Sequence, residues 1–427
     1  MGERNSAEER ARRELAARID HRILSRRDLL KRGGAGLIAL GAAPAFLAAC
    51  GGGSEEATQA ETGAPAATAA EPDVETQAPD SVEAASVPAA SGTIDYLSWE
   101  GYDIPDQLKA WRDANGVTVN ATYIGNHDEI QAKIAAGGGS YDIITYYQGY
   151  KPLYQELGIL SPLDTSKIPN LAGLFPYFQS DVGNFWIDPD GTQTGVPWTW
   201  GSIGLTWDDA TLPGGLSSWY DLLDPKYKDK IGLPDDPVGS FTLASHVLGF
   251  DPSQVTQEQK AEVVDLLTQI VKQAKSIAPS FGDLTTQLVS GDIVATWQGW
   301  AAMNSFAADA GNTTVKTQVP EEGSFSFCDL YAIPTTADNV DTALAWFNEA
   351  ISPEVNAAAA EFLVAAVTVT DAVQYLDETT AALYPYDEID SLLERAPFYN
   401  NPPVDSPEGY VTYQEWIDTW QEIKGSA

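Results

Sequence analysis

Cysteine, histidine and basic side chains are scarce in this 427-residue chain. Of its two cysteines, Cys50 falls in a processing motif described below. That leaves Cys328 alone in the mature domain, which excludes an intramolecular disulfide there. Cys328 reads as a small packing residue, not a nucleophile. His21 lies in the leader, and His127 and His246 are too few for a His-rich zinc site. There is no Gly-x-Ser-x-Gly elbow, no phosphate loop and no internal repeat, so the sequence offers no cofactor motif. A glycosidase would need two carboxylates at a set spacing. Nothing singles out a nucleophile with its base, and no enzyme is expected. Lys and Arg number 24 against 61 Asp and Glu, a net charge of −37. Beyond residue 49 the imbalance sharpens to 14 against 55. Nucleic acid is excluded as a partner, because binding it requires neutralising phosphates with Lys and Arg. Cations are drawn to such a surface, and most of its acids serve solvation.

Long hydrophobic runs are also missing. The apolar run Gly33–Ala49 is too short and too rich in Gly and Ala to span a bilayer. It has other marks. Ser25-Arg26-Arg27-Asp28-Leu29-Leu30-Lys31 resembles a twin-arginine export signal, and Leu47-Ala48-Ala49-Cys50 resembles a bacterial lipobox. The expectation is a signal peptide over 1–49 with Arg26 and Arg27 as its export pair, and lipidation at Cys50 that anchors the chain to the outer face of the cytoplasmic membrane. From Gly51 to Gly92 there is no Leu, Ile, Phe, Trp or Tyr. Such a segment cannot bury enough surface to order itself, so 50–92 reads as a lipidated tether.

What is present in 93–427 is α/β patterning. Strands are expected at Thr93–Leu97, Val117–Ile124 and Tyr141–Thr145, with helical spacing at Ile104, Leu108 and Trp111 and over Glu129–Ala136. A further helix runs to Leu157. This βαβαβ run argues for a parallel sheet whose ligands sit outside the carboxyl ends of its strands. The aromatic stretches 99–102 and 146–150 both fall at such ends. Further on, helices are expected over Gln257–Ile277, Asp283–Leu288, Val340–Ile351 and Tyr413–Ile423. Strands are expected at Ile293–Thr296, just before Trp297, and at Leu330–Ile333.

The ordered landmarks of 93–427 resemble the periplasmic polyamine-binding proteins of ABC importers, the spermidine/putrescine-binding type. Trp99-Glu100-Gly101-Tyr102 is similar to that family's Trp-Thr-Glu-Tyr after the first strand. Tyr141-Asp142-Ile143-Ile144, the turn Gly158–Asp164, the crossing Gly195–Gly201, the stretch Ser218–Lys230, Trp297-Gln298-Gly299 and Asp329–Pro334 follow in the family's order. The resemblance implies a two-lobed type II binding fold with a hinge and an interlobe cleft, and no cofactor. Lobe one would comprise 93–201 with 329–388, and lobe two 202–328 with 389–427. The partners implied are a cationic amine and an ABC permease, with the protein itself a monomer.

The same resemblance implies a site. Trp99 and Tyr102 match its aromatic walls, and Trp297 its stacking tryptophan. Phe327 stands where the family has Trp. Asp329 matches its strongest amine-binding carboxylate, and Asp236 a second-lobe carboxylate, with Asp235 as adjacent competitor. Departures are equally specific. The family's first acid falls on Gly101, with Glu100 one residue earlier. Its second acid in the other lobe falls on Gly239. Its hydroxyl cluster after the third strand is replaced around Tyr147, Gln148 and Gly149. These changes make the pocket less acidic and more aromatic. They open the ligand to a cation with one charged centre, or to a different class such as a sugar, opine, phosphonate or metal chelate.

Overall fold

The computed structural model describes residues 86–124, 128–135, 140–180, 183–406 and 408–426. The expectations at Arg26, Arg27 and Cys50, and the tether up to residue 85, lie outside the described residues. Within them, no helix is long and apolar enough to cross a membrane.

Strand β1 (Gly92–Ser98) inserts Ile94, Tyr96 and Leu97 completely into the core. A helix, Lys109–Asn115, closes on Gly116 in the left-handed conformation and returns the chain to β2 (Val117–Tyr123). The helix Asp128–Ala135 then leads to β3 (Ile143–Tyr147). Both β2 and β3 pair parallel to β1, as the βαβαβ pattern requires. β3 starts two residues later than the sequence suggests, because Asp142 does another job. Its carboxylate accepts the N–H groups of Asp95, Asp338 and Asn339 and ties three segments together at the strand's entry.

The remaining strands are β4 (Val196–Asp208), β5 (Ile231–Pro234), β6 (Ala274–Ala278), β7 (Ala295–Trp300), β8 (Val315–Gln318), β9 (Ser326–Ala332) and β10 (Ala366–Val367). They form one mixed sheet in the order β2-β1-β3-β9-β4-β7-β5-β6, with β8 and β10 also on β4. β4 is the backbone of the arrangement. All thirteen of its residues are buried. Its first half pairs antiparallel with β9 and its second half with β7 and β8.

The apolar cores divide along that strand. Val196, Trp198 and Trp200 pack in a first core, whereas Ile203, Leu205 and Trp207 pack in a second. β9 enters the first core at Cys328, and Phe325 just before it belongs to the second. Ile389, Leu393 and Phe398 return to the first, and Val411 and Trp416 to the second. A smaller third cluster around Leu284, Ile293 and Met303 flanks the second. Stacking of Trp198 on Tyr331, with ring centroids 4.5 Å apart, fixes β4 to β9. Such pairs contribute roughly 0.5–1.5 kcal/mol beyond burial.

Other expected boundaries shift as well. The helix from Gln257 stops at Gln273, and residues 274–278 become β6, paired parallel with β5. Helical spacing continues into this segment, but the ladder to β5 wins. The strand expected to end before Trp297 instead runs through it, so Trp297 lies inside β7.

Candidate functional site

The loop after β1 turns sharply. The N–H of Tyr102 donates to the Trp99 carbonyl at 3.2 Å, and that of Ile104 to the Gly101 carbonyl at 3.1 Å. Gly101 stands at φ +86°, where an acidic side chain would be strained. The turn brings the Tyr102 hydroxyl to Asp329, where it donates to Oδ2 at 2.9 Å, and sets the Tyr102 ring edge-on to Trp198. Trp99 and Tyr102 are half-buried against the first core. Glu100 lies near Tyr123 at the end of β2. Burial first, then the charges of Asp103 and Glu100, push that phenol upward. Tyr123 in turn donates to both Asp103 oxygens, at 3.3 and 3.4 Å.

Asp329 is buried on β9, directly across from Tyr147 on β3 and Thr199 on β4. Cross-strand partners share a sheet face, so the carboxylate and the phenol are neighbours. Burial is the largest cause raising the Tyr147 phenol, followed by the charge of Asp236; Asp329 adds to it. One hydroxyl therefore feels two carboxylates carried by different parts of the fold.

Asp236 follows β5 and caps the helix Pro237–Val247. Its Oδ1 accepts the Gly239 N–H at 3.0 Å, and its Oδ2 accepts from Gln298 Nε2 at 2.6 Å. Burial raises its pKa despite both bonds. The neighbouring Asp235 turns away. It accepts from Trp420 Nε1 at 2.7 Å and forms an ion pair with Lys424 at 2.8 Å, both on the C-terminal helix Tyr413–Gly425. Sequence alone leaves these two acids in competition, and this contact separates them.

The far end of the Pro237–Val247 helix is tied to the first core. His246 Nδ1 meets the Tyr399 hydroxyl at 2.8 Å, and the Tyr399 carbonyl accepts from Gln148 Nε2 at 3.2 Å and from the Tyr147 hydroxyl at 3.5 Å. Gln148 Oε1 also accepts the Cys328 N–H at 2.7 Å. Gln148 thus joins the ends of β3 and β9 to the C-terminal segment.

Trp297 is completely buried, edge-on to Trp219 within the second core. The half-buried tryptophan beside Phe327 is Trp300, with ring centroids 5.5 Å apart. Between them, Gln298 adopts φ +63°. Such a backbone costs on the order of 1–3 kcal/mol and persists only where its surroundings enforce it. Here Asp236 and Ser240 hold the amide from both sides. A Cβ on Gly239 would clash with both Asp236 Oδ2 and Gln298 Nε2, so a side chain at 239 would displace that pair. Gln298 and Trp300 carry no sequence signal that marks them as site residues. Left-handed backbone at a glutamine leaves no sequence mark. Among the described residues, no group of three or more His, Cys, Asp or Glu is placed to hold a metal.

The pattern of residues 107–383 matches the family of bacterial extracellular solute-binding proteins. The chain belongs to this family. The solute-binding proteins most informative by sequence include the putrescine-binding periplasmic protein SpuD of Pseudomonas aeruginosa, 25% identical over 314 residues, covering 69% of this chain and 80% of the relative. The spermidine/putrescine-binding periplasmic protein of Escherichia coli is 27% identical over 279 residues, covering 64% and 76%. By structure, the spermidine/putrescine substrate-binding protein PotD of Streptococcus pneumoniae superposes with a TM-score of 0.66 at 21% identity, covering 78% of this chain and 98% of that one. A lipoprotein of Treponema pallidum does so with a TM-score of 0.66 at 19% identity, covering 78% and 100%. The fold is that of a two-lobed α/β solute-binding protein, as expected from the sequence.

Proposed function

We propose that this solute-binding protein captures a small organic cation in a cleft between its lobes and delivers it to an ABC importer. The observation that carries this reading is the buried Asp329, opposite Tyr147 across the sheet and held by the Tyr102 hydroxyl at 2.9 Å, with Asp236 a second buried acid whose charge raises the same phenol. The two acids belong to segments on opposite sides of the division between the cores. An ammonium leaving water needs acceptors for its protons, and paired carboxylates supply them. Trp99, Tyr102 and Phe327 border the same region and suit methylenes and cation–π contact, worth roughly 0.5–2 kcal/mol per ring. Trp297 and Glu100 belong to the proposed set on the family resemblance; Trp297 itself is packed in the second core against Trp219. The relatives' names, putrescine-binding and spermidine/putrescine-binding, point to the same ligand class.

In this reading the lobes are 93–201 with 329–398, and 202–328 with the segment beyond Phe398, ten residues later than the sequence alone suggests. The packing of Ile389, Leu393 and Phe398 in the first core, with Val411 and Trp416 in the second, supports a last crossing after Phe398 in this reading. Contacts from both lobes would favour the closed state on binding. Export through Arg26-Arg27, anchoring through a lipid on Cys50, and action as a monomer complete the reading. Mass spectrometry of the N-terminal peptide of membrane-associated protein tests the anchor, and an unmodified Cys50 would overturn it.

Calorimetric titration of the purified protein with putrescine, spermidine, agmatine and choline tests the ligand class. Heat from none of them would sink the cation reading. Asp329→Asn should weaken the cation that binds by about ten- to a hundredfold, the loss of one charge-assisted bond. An unchanged affinity would remove Asp329 from the site.

A further inference from the structure

We propose that the ligand is a monocation, an amine whose other end is a neutral group that both donates and accepts hydrogen bonds, and that Asn401 reads that end. This rests on the cleft reading above. Asn401 is 9% exposed, and neither its Oδ1 nor its Nδ2 has a hydrogen-bond partner. A buried amide with both halves unmet is rare in a folded protein and costly to maintain. Its place is defined by the backbone, where the Asn401 N–H donates to the Gly149 carbonyl at 3.1 Å. A Cβ on Gly149 would stand 2.5 Å from Tyr147 Cε1 and 2.6 Å from Asn401 Oδ1. A side chain at 149 would push the amide or the Tyr147 ring aside. That ring is the one whose hydroxyl lies in the field of Asp236 and Asp329.

The chemistry of the amide then discriminates. A protonated amine offers donors alone, so it can satisfy Oδ1 but leaves the two Nδ2 protons unpaired. A hydroxyl or a second amide satisfies both halves. Asp236 supports one charged centre, not two. Each of its oxygens already accepts a bond, from Gly239 and from Gln298, which leaves one acceptor position on each, enough for a single ammonium. The second lobe therefore adds one pinned carboxylate, whose charge raises the same phenol that Asp329 faces across the sheet. Two acids around one phenol suit a single ammonium, and the amide suits the neutral end.

The test is calorimetry on the purified protein with three matched probes. These are putrescine, its amino-alcohol counterpart with a hydroxyl in place of one amine, and its mono-N-acetyl derivative. The amino alcohol or the acetylated amine should bind about ten- to a hundredfold tighter than the diamine. Asn401→Leu should bring the three affinities to within about threefold of one another. Asn401→Asp, which keeps the size and adds a charge, should move the preference to the diamine by about tenfold. Melting temperatures of both variants close to that of the parent show that the fold is intact. Putrescine binding tightest to the parent, or Asn401→Leu weakening all three probes equally, overturns this inference and leaves the cation cleft standing. No heat from any probe, nor from spermidine, overturns both.

Discussion

Asp236 is a carboxyl group held in place before any ligand arrives. Burial raises its pKa above the ordinary 3.8, which means that the folded protein takes up a proton there more readily than the unfolded chain. In the absence of ligand, this group favours folding at low pH, and that contribution is lost as pH rises through the raised value. A bound cation inverts the preference, because it favours the ionised form. Binding below the raised pKa must expel the proton, so affinity should climb with pH, by at most about tenfold per unit, and level off above it. Asp236→Asn keeps an N-cap of equal quality and cannot titrate. Its affinity should be lower and flat with pH where the parent's rises. An identical slope in parent and variant would place the titrating group elsewhere. His246 works in the opposite direction. Burial lowers its pKa, so its neutral form is favoured in the fold. Stability from this group falls as pH drops below the ordinary 6.5. Exchanging His246 for Gln should remove that acid sensitivity, read as the melting temperature between about pH 5 and 7.

Elements were legible where their signals close locally. The first βαβαβ run announces itself through alternating apolar positions, a left-handed Gly116 and a short crossover. The C-terminal helix likewise starts on a complete capping box, in which Thr412 and Glu415 exchange side-chain and backbone bonds. Elements fixed by distant partners were not legible. β6 continues a helical pattern and is drawn into the sheet by β5. Trp297 reads as the end of a strand, yet β4 pairs on past it and holds it within β7. Choosing between Asp235 and Asp236 required Trp420 and Lys424, residues that only the fold brings near. Two measurements follow at this scale. Thr412→Ala should cost about 1 kcal/mol in denaturant unfolding, with an unchanged slope. Lys424→Met should leave ligand affinity within about twofold, because Asp235 serves the C-terminal helix. A tenfold loss would return Asp235 to the site.

Across the whole molecule, the excess of acids acts on both stability and binding, with opposite dependence on salt. Beyond residue 49, 55 acids face 14 basic residues, and few acids can find a partner. Their mutual repulsion opposes the compact state. The screening length falls from about 10 Å at 0.1 M salt to about 3 Å at 1 M, which weakens that repulsion. Unliganded protein should therefore melt at a higher temperature as salt is raised over this range. The same negative field concentrates organic cations at the cleft mouth and accelerates their capture. Screening removes this benefit, so the association rate of a cationic ligand should fall with salt while the dissociation rate, set by short-range contacts in the proposed site, changes less. Stopped-flow quenching of the cleft-side tryptophans would separate the two rates, and calorimetric scans would follow the melting temperature. A neutral ligand would show no such fall in association rate. An association rate indifferent to salt would therefore argue against a cation even if the protein gained stability, because the stability effect depends only on the net charge.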